Sequence, residues 1–140
     1  MLKPLDIFLY TDASRVGDKC CSSAMVLTKN TFLGFVSREV QTDKTSKAEI
    51  ISVQQGLDYI DKLDLNINKI IIYSDFRRIS QVFNKYKYEG YSLAKRDKAW
   101  DRIFELSSKY NIQVHYFARA KLKPNTVMAC DIYSRKSLQV

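Results

Sequence analysis

Four acidic residues carry the chemistry this chain can be read to contain: Asp12, Glu49, Asp75 and Asp131. They are far apart in sequence, yet each falls at the end of an apolar strand or within a helical segment. Hard divalent cations choose carboxylate oxygens, and a site for two such ions needs about four acidic side chains. If the four converge, the chemistry is metal-assisted hydrolysis of a phosphodiester backbone.

Each acid also has a simpler account. Asp12, in YTDAS, is a residue type suited to a turn before Ser14, although it follows a strongly apolar strand. Ser46-Lys47-Ala48-Glu49 is a formal capping box, in which Glu49 would fold back onto the Ser46 amide. A carboxylate turned toward a metal cannot do that, although Thr45 or Ser46 could still cap the helix with its hydroxyl. Asp75 closes KIIIYSD and opens a helix, where an N-cap aspartate is common. Asp131 lies between Cys130 and Ile132, where an acid at a helix boundary would face water. Two acids at one sheet edge, however, repel each other unless a cation lies between them.

The elements that must position these residues follow from periodicity. Residues 5–12 are rich in branched and aromatic side chains and predict a buried strand ending at Asp12; residues 14–18 predict a turn. Residues 20–28 and 31–40 predict two strands joined across Lys29-Asn30. Ile50, Val53, Leu57 and Ile60 recur at helical spacing from Ser46 onward, and residues 69–74 form an apolar run typical of a strand buried on both faces. Phe76, Ile79, Phe83 and Tyr86 mark a second helix, and Trp100, Ile103, Phe104 and Ser107 a third. Residues 112–118 alternate as a strand. Residues 126–138 close the chain as a helix with Val127, Cys130, Ser134 and Leu138 on one face. The order β-β-β-α-β-α-α-β-α predicts one α/β domain over 1–140, a five-stranded mixed sheet with helices on both faces. Its first and fourth strands would be parallel neighbours, and their carboxyl ends the edge where such sheets present ligands.

Composition narrows the partners. A chain of 140 residues fits one domain with one core, and 27% charged residues give no sign of disorder. A net charge of +8 favours polyanions, nucleic acid first. Lys85, Lys87, Lys95, Arg96 and Lys98 interleave with Tyr86, Tyr88, Tyr91 and Trp100, and Arg119, Lys121 and Lys123 form a second group. That pattern suits phosphate tracking with sugar or base contact, and a solvated helix face with inward tyrosines would read the same. No apolar run approaches the roughly 18 residues of a membrane span, and the N-terminus has no export signal. A cytoplasmic monomer without membrane contact is expected. Cys20, Cys21 and Cys130, with the single His115, have the spacing of neither a disulfide framework nor a zinc site, and are expected as small buried residues in a reducing compartment.

Over nearly its whole length the chain resembles the ribonuclease H family. YTDAS resembles that family's first-strand motif, TSKAEI the segment leading to its helix-borne Glu, and IIIYSD its fourth-strand motif. The segment from Lys98 to Asp131 resembles its tryptophan helix, fifth strand and loop to the last Asp. The ordered set is specific, where no single piece is. The resemblance implies a ribonuclease-H-like fold and endonucleolytic hydrolysis of the RNA strand of an RNA/DNA hybrid. It implies two Mg²⁺ or Mn²⁺ ions held by Asp12, Glu49, Asp75 and Asp131, serving to activate water and stabilise the leaving 3′ oxygen. Ser14, Thr45 and Ser46 would lie near the minor groove, where 2′-hydroxyls are readable. Lys85, Lys87, Lys95, Arg96, Arg119, Lys121 and Lys123 would follow DNA phosphates, with Asn125 in the loop before the last Asp.

Three departures from the family pattern stand out: the loop before Asp131 has no His, Asn125 lies six residues before Asp131, and Phe76 follows Asp75. They keep open a second reading, a nucleic acid binding module of the same fold with weak or no catalysis. A third is a protein-interaction domain whose acids are simple caps. A proofreading-type exonuclease on the related fold would need Asp-x-Glu on the first strand, where this chain has Asp12-Ala13-Ser14.

Overall fold

The computed structural model describes residues 3–89 and 98–116. Strands β1 (Leu5–Val16), β2 (Lys19–Leu27) and β3 (Phe32–Val40) form an antiparallel meander. Helix α1 (Thr45–Lys62), strand β4 (Ile67–Ser74), helices α2 (Arg77–Glu89) and α3 (Lys98–Lys109) and strand β5 (Ile112–Tyr116) follow. The sheet is five-stranded in the order β3-β2-β1-β4-β5, with β4 parallel to both β1 and β5. This is the mixed sheet that the order of elements predicts. The expected closing helix over 126–138 lies outside the described residues.

Every second residue of the strands feeds one core. Ile7 and Leu9, Ala24 and Val26, Ile70 and Ile72, and Ile112 and Val114 pack with Val53, Leu57 and Ile60 of α1, Ile79 and Phe83 of α2, and Trp100, Ile103 and Phe104 of α3. A strand presents alternate residues to opposite faces, so these helices share one face of the sheet; of the expected helices on both faces, none of those on the second face is among the described residues. The opposite face carries a row of rings, with Tyr10 stacked on Tyr73 at 5.0 Å and Tyr73 on His115 at 5.7 Å.

One sequence expectation is corrected. Residues 14–18 are not a turn and β1 does not stop at Asp12, because Ser14, Arg15 and Val16 continue to pair with Cys21, Cys20 and Lys19. The link is Gly17-Asp18 alone, made possible by a left-handed backbone at Gly17 (φ 64°).

Helix α1 lies unusually close to the sheet at Gly56. A Cβ there would sit 2.5 Å from Leu9 Cδ1 and 3.0 Å from Ala24 Cβ. Glycine inside a helix costs about 1 kcal/mol relative to alanine, and the close approach explains its use. At its other end α1 is tied to α3 by charge. Arg102 Nε donates to Asp58 Oδ1 at 2.7 Å, and Lys109 Nζ and Tyr110 Oη both donate to Asp61 Oδ1, at 2.7 and 2.6 Å. The Lys109 hydrogen bond, then that of Tyr110, holds the Asp61 carboxyl below the usual carboxylate range.

Two stability outcomes follow from these contacts. Gly56→Ala gains helix propensity, yet Leu9 is fully buried and cannot swing aside. The variant should lose about 1–2 kcal/mol net, read as a lower denaturation midpoint. Asp61→Asn should lower the melting temperature at neutral pH. Because the folded-state pKa is depressed, that contribution is complete above the unfolded value and fades as pH falls through the folded one. Melting curves of the two proteins should therefore converge in acid; a gap that is constant with pH would refute the assignment.

Candidate metal centre

The carboxylate corner is built by the register of two strands. Parallel pairing of β1 with β4 ends at Thr11 and Ser74, so the next residue on each strand is Asp12 and Asp75. Asp12 stays in the sheet through its antiparallel partner Ser23, whose hydroxyl also donates to the Asp12 carbonyl at 3.3 Å. It is 3% exposed. At Asp75 the chain leaves the sheet instead: the Phe76 N–H donates to Ser74 Oγ at 3.1 Å, and α2 begins at Arg77. Asp75 therefore stands outside the helix rather than within its first turn.

Glu49 comes from α1. The capping box does not form, because α1 starts at Thr45, its N-cap is Lys44, and that cap has no side-chain hydrogen bond. Thr45 and Ser46 are exposed while Glu49 is 6% exposed. Ala13 and Ala48, the neighbours of Asp12 and Glu49 in sequence, pack with Cys20 and Val40 in a small apolar cluster. Small side chains in that cluster suit a start of α1 packed against β1 and β2.

The result is convergence: one carboxylate oxygen from each of Asp12, Glu49 and Asp75 lies within 4.8 Å of the others. Ionised carboxylates this close, two of them buried, repel strongly with little water to screen them. An all-oxygen, all-anionic donor set is the kind that hard cations such as Mg²⁺ or Mn²⁺ select, so the residues present fit such an ion. Two hydroxyls flank Asp12: Thr11 Oγ1 and Ser14 Oγ are buried and have no hydrogen-bond partner among the described residues.

The other expected site residues are distributed differently. Lys85 is exposed on α2, and Lys87 belongs to the same helix. Lys95, Arg96, Arg119, Lys121, Lys123, Asn125 and Asp131 lie outside the described residues. The interleaving of cations with aromatic rings is corrected for Tyr86 and Trp100. Tyr86 stacks on Phe104 at 3.7 Å, and Trp100, 4% exposed, stacks on the same ring at 5.2 Å. Helical spacing turns Tyr86 onto the inner face beside Phe83 while Lys85 points to solvent, so both rings serve the core. Cys20 and Cys21 are buried free thiols; burial pushes the Cys20 thiol up. His115 belongs to β5 and is exposed. Arg77 was not among the residues singled out by sequence. It opens α2 two positions after Asp75, and the Arg-Arg pair following that acid is the signal that marks it.

No family model matches the chain, and no curated protein matches it in sequence. Solved structures do. The N-terminal ribonuclease H domain of a Mycobacterium tuberculosis protein, solved as a fusion with maltose-binding protein, aligns with a TM-score of 0.77 at 16% identity, over 96% of this chain and 94% of that one. Ribonuclease H1 of Halobacterium salinarum aligns at 0.72 with 14% identity, over 96% and 98%. LC11 ribonuclease H1, isolated from compost by a metagenomic approach and solved with an RNA/DNA hybrid, aligns at 0.63 with 14% identity, over 82% and 87%. The chain has the ribonuclease-H-like fold, and its carboxylate cluster stands where the parallel pairing of β1 with β4 ends.

Metal binding at this corner has a thermal signature. Mg²⁺ or Mn²⁺ should raise the melting temperature by mass action, by about 2.7 kcal/mol of stability at a hundredfold excess over Kd. Asp12→Asn should abolish that rise. In EDTA the same substitution should be neutral or stabilising, because it relieves repulsion. A wild-type melting temperature indifferent to both ions would exclude the site.

Proposed function

We propose that this protein is a ribonuclease-H-type endonuclease that hydrolyses the RNA strand of RNA/DNA hybrids with two divalent cations, Mg²⁺ or Mn²⁺. The convergence of Asp12, Glu49 and Asp75 carries the reading. It is supported by the ribonuclease-H-like fold and by a net charge of +8, suited to a polyanion.

Asp12 would hold the ions from within β1 and Asp75 from the end of β4, Glu49 would complete one ligand set from α1, and Asp131 is assigned as the fourth acid. When bound, such ions activate water for attack on the phosphodiester and neutralise charge on the leaving 3′ oxygen. The protein's own contribution is rigidity and placement. Pairing with β2 fixes the Asp12 backbone, and the small apolar cluster of Ala13, Cys20, Val40 and Ala48 ties the first turns of α1 to the sheet. Thr45 and Ser46, exposed beside Glu49, are assigned to the minor groove together with Ser14. Lys85 and Lys87, with the basic residues that follow them, are assigned to the DNA strand's phosphates.

One observation favours the runner-up, a binding module of the same fold with weak catalysis. The chain has a single imidazole, His115, and it stacks on Tyr73 in β5. The segment before Asp131 therefore supplies no imidazole, which bears on turnover rather than on metal binding.

A labelled RNA/DNA hybrid incubated with the protein in Mg²⁺, Mn²⁺ or EDTA separates the two readings. Cleavage should require a divalent ion and fall by more than about a hundredfold in Asp12→Asn and in Asp75→Asn. Tight binding of the hybrid without cleavage in either ion would leave the binding module as the function.

A further inference from the structure

Arg77 is exposed at the start of α2, and its guanidinium carbon lies 4.9 Å from the centre of the Tyr116 ring. Tyr116, the last residue of β5, pairs in register with Ser74, the residue before Asp75. The Arg77–Tyr116 contact thus stands at the carboxyl end of β4, on the side of the carboxylate corner away from β1. None of the ion pairs among the described residues involves Arg77, and the first turn of α2 has no acid to neutralise it.

A guanidinium laid against a ring uses its face and keeps its edge. The N–H fork remains available for two oxygens of one phosphate, a geometry a lysine cannot reproduce. The ring also restricts a side chain that would otherwise sample many rotamers, so less freedom is lost on binding. The location gives the contact its purpose, since three carboxylates repel a polyanionic strand and a fixed cation beside them offsets that repulsion locally. We propose that Arg77, braced by Tyr116, binds a backbone phosphate of the nucleic acid strand next to the carboxylate corner. This rests on the proposed function and adds to it a phosphate contact.

Binding of a fluorescent RNA/DNA hybrid, followed by anisotropy in EDTA between about 50 and 200 mM salt, tests the contact without requiring cleavage. Arg77→Gln should weaken binding on the order of tenfold at the lower salt. It should also flatten the dependence of log affinity on log salt by about 0.9, the release of one phosphate contact. Arg77→Lys should keep the salt slope and lose part of the affinity. Tyr116→Leu should weaken binding while Tyr116→Phe does not. Wild-type affinity and slope in Arg77→Gln overturn the proposal. A fall in melting temperature without a change in slope overturns it too, because it makes the contact only a tie between α2 and β5. Failure of the wild type to cleave in Mg²⁺ or Mn²⁺ refutes the nuclease reading separately and leaves the binding comparison intact; failure to bind the hybrid both in EDTA and in either ion overturns both.

Discussion

Parallel pairing between β1 and β4 stops at Thr11 and Ser74, and the geometry of the acid corner depends on where it stops. The ladder fixes both strands up to the residue before each aspartate and then releases one of them. Asp12 remains held by β2, whereas Asp75 is carried out of the sheet toward α2. A slip of one residue in this register would send alternate side chains to the other face and separate the pair. The buried Ile7, Leu9, Ile70 and Ile72 oppose such a slip, since it would move fully buried aliphatics to the opposite face. The core thus specifies the site as well as stabilising the domain.

Helix α1 has a different task at each end. Its C-terminal half places Asp58 and Asp61 among Arg102, Lys109 and Tyr110, so those acids are compensated by donors from α3 and the residue that follows it. Its first turns place Glu49 against two other acids instead. Between them, Gly56 allows the helix to lie against Leu9 and Ala24, which sets the height of Glu49 two turns earlier on the same face. One helix therefore carries acids that tie it to α3 at one end and, at the other, an acid that converges with Asp12 and Asp75.

Much of this was legible in the sequence. The apolar runs before Asp12 and Asp75 placed both acids directly after buried strand segments, and the meander followed by alternating elements made those strands neighbours. The misreadings came from features that local sequence underdetermines. Ser14-Arg15-Val16 has turn-like polarity at Ser14, but its pairing partner is Cys20-Cys21, and only tertiary structure shows the ladder continuing. Ser46-x-x-Glu49 matches a capping box perfectly in pattern, yet α1 begins one residue earlier, at Thr45. The lysine–tyrosine interleaving around Lys85 hid a helical period that turns Tyr86 inward onto Phe104. Arg77 was hidden for another reason: its brace, Tyr116, is far away in the chain and meets it only through the β4–β5 register.

The charge pattern also links the proposed ions to the proposed substrate. Unit charges about 4 Å apart interact by roughly 4 kcal/mol at the effective dielectric of a partly buried site. A phosphodiester drawn toward three converged carboxylates would meet a repulsion of that order from the nearest one alone. Divalent ions at the corner invert the sign of that field. By linkage, whatever binding they contribute to the strand, the strand returns to them as tighter metal binding. A net charge of +8 would favour a polyanion in general, whereas the acid corner would govern whether a phosphate could sit beside the carboxylates. On the proposed function, the overall charge of +8 and the local cluster of acids would be complementary, the first favouring a polyanionic strand and the second calling for cations beside it.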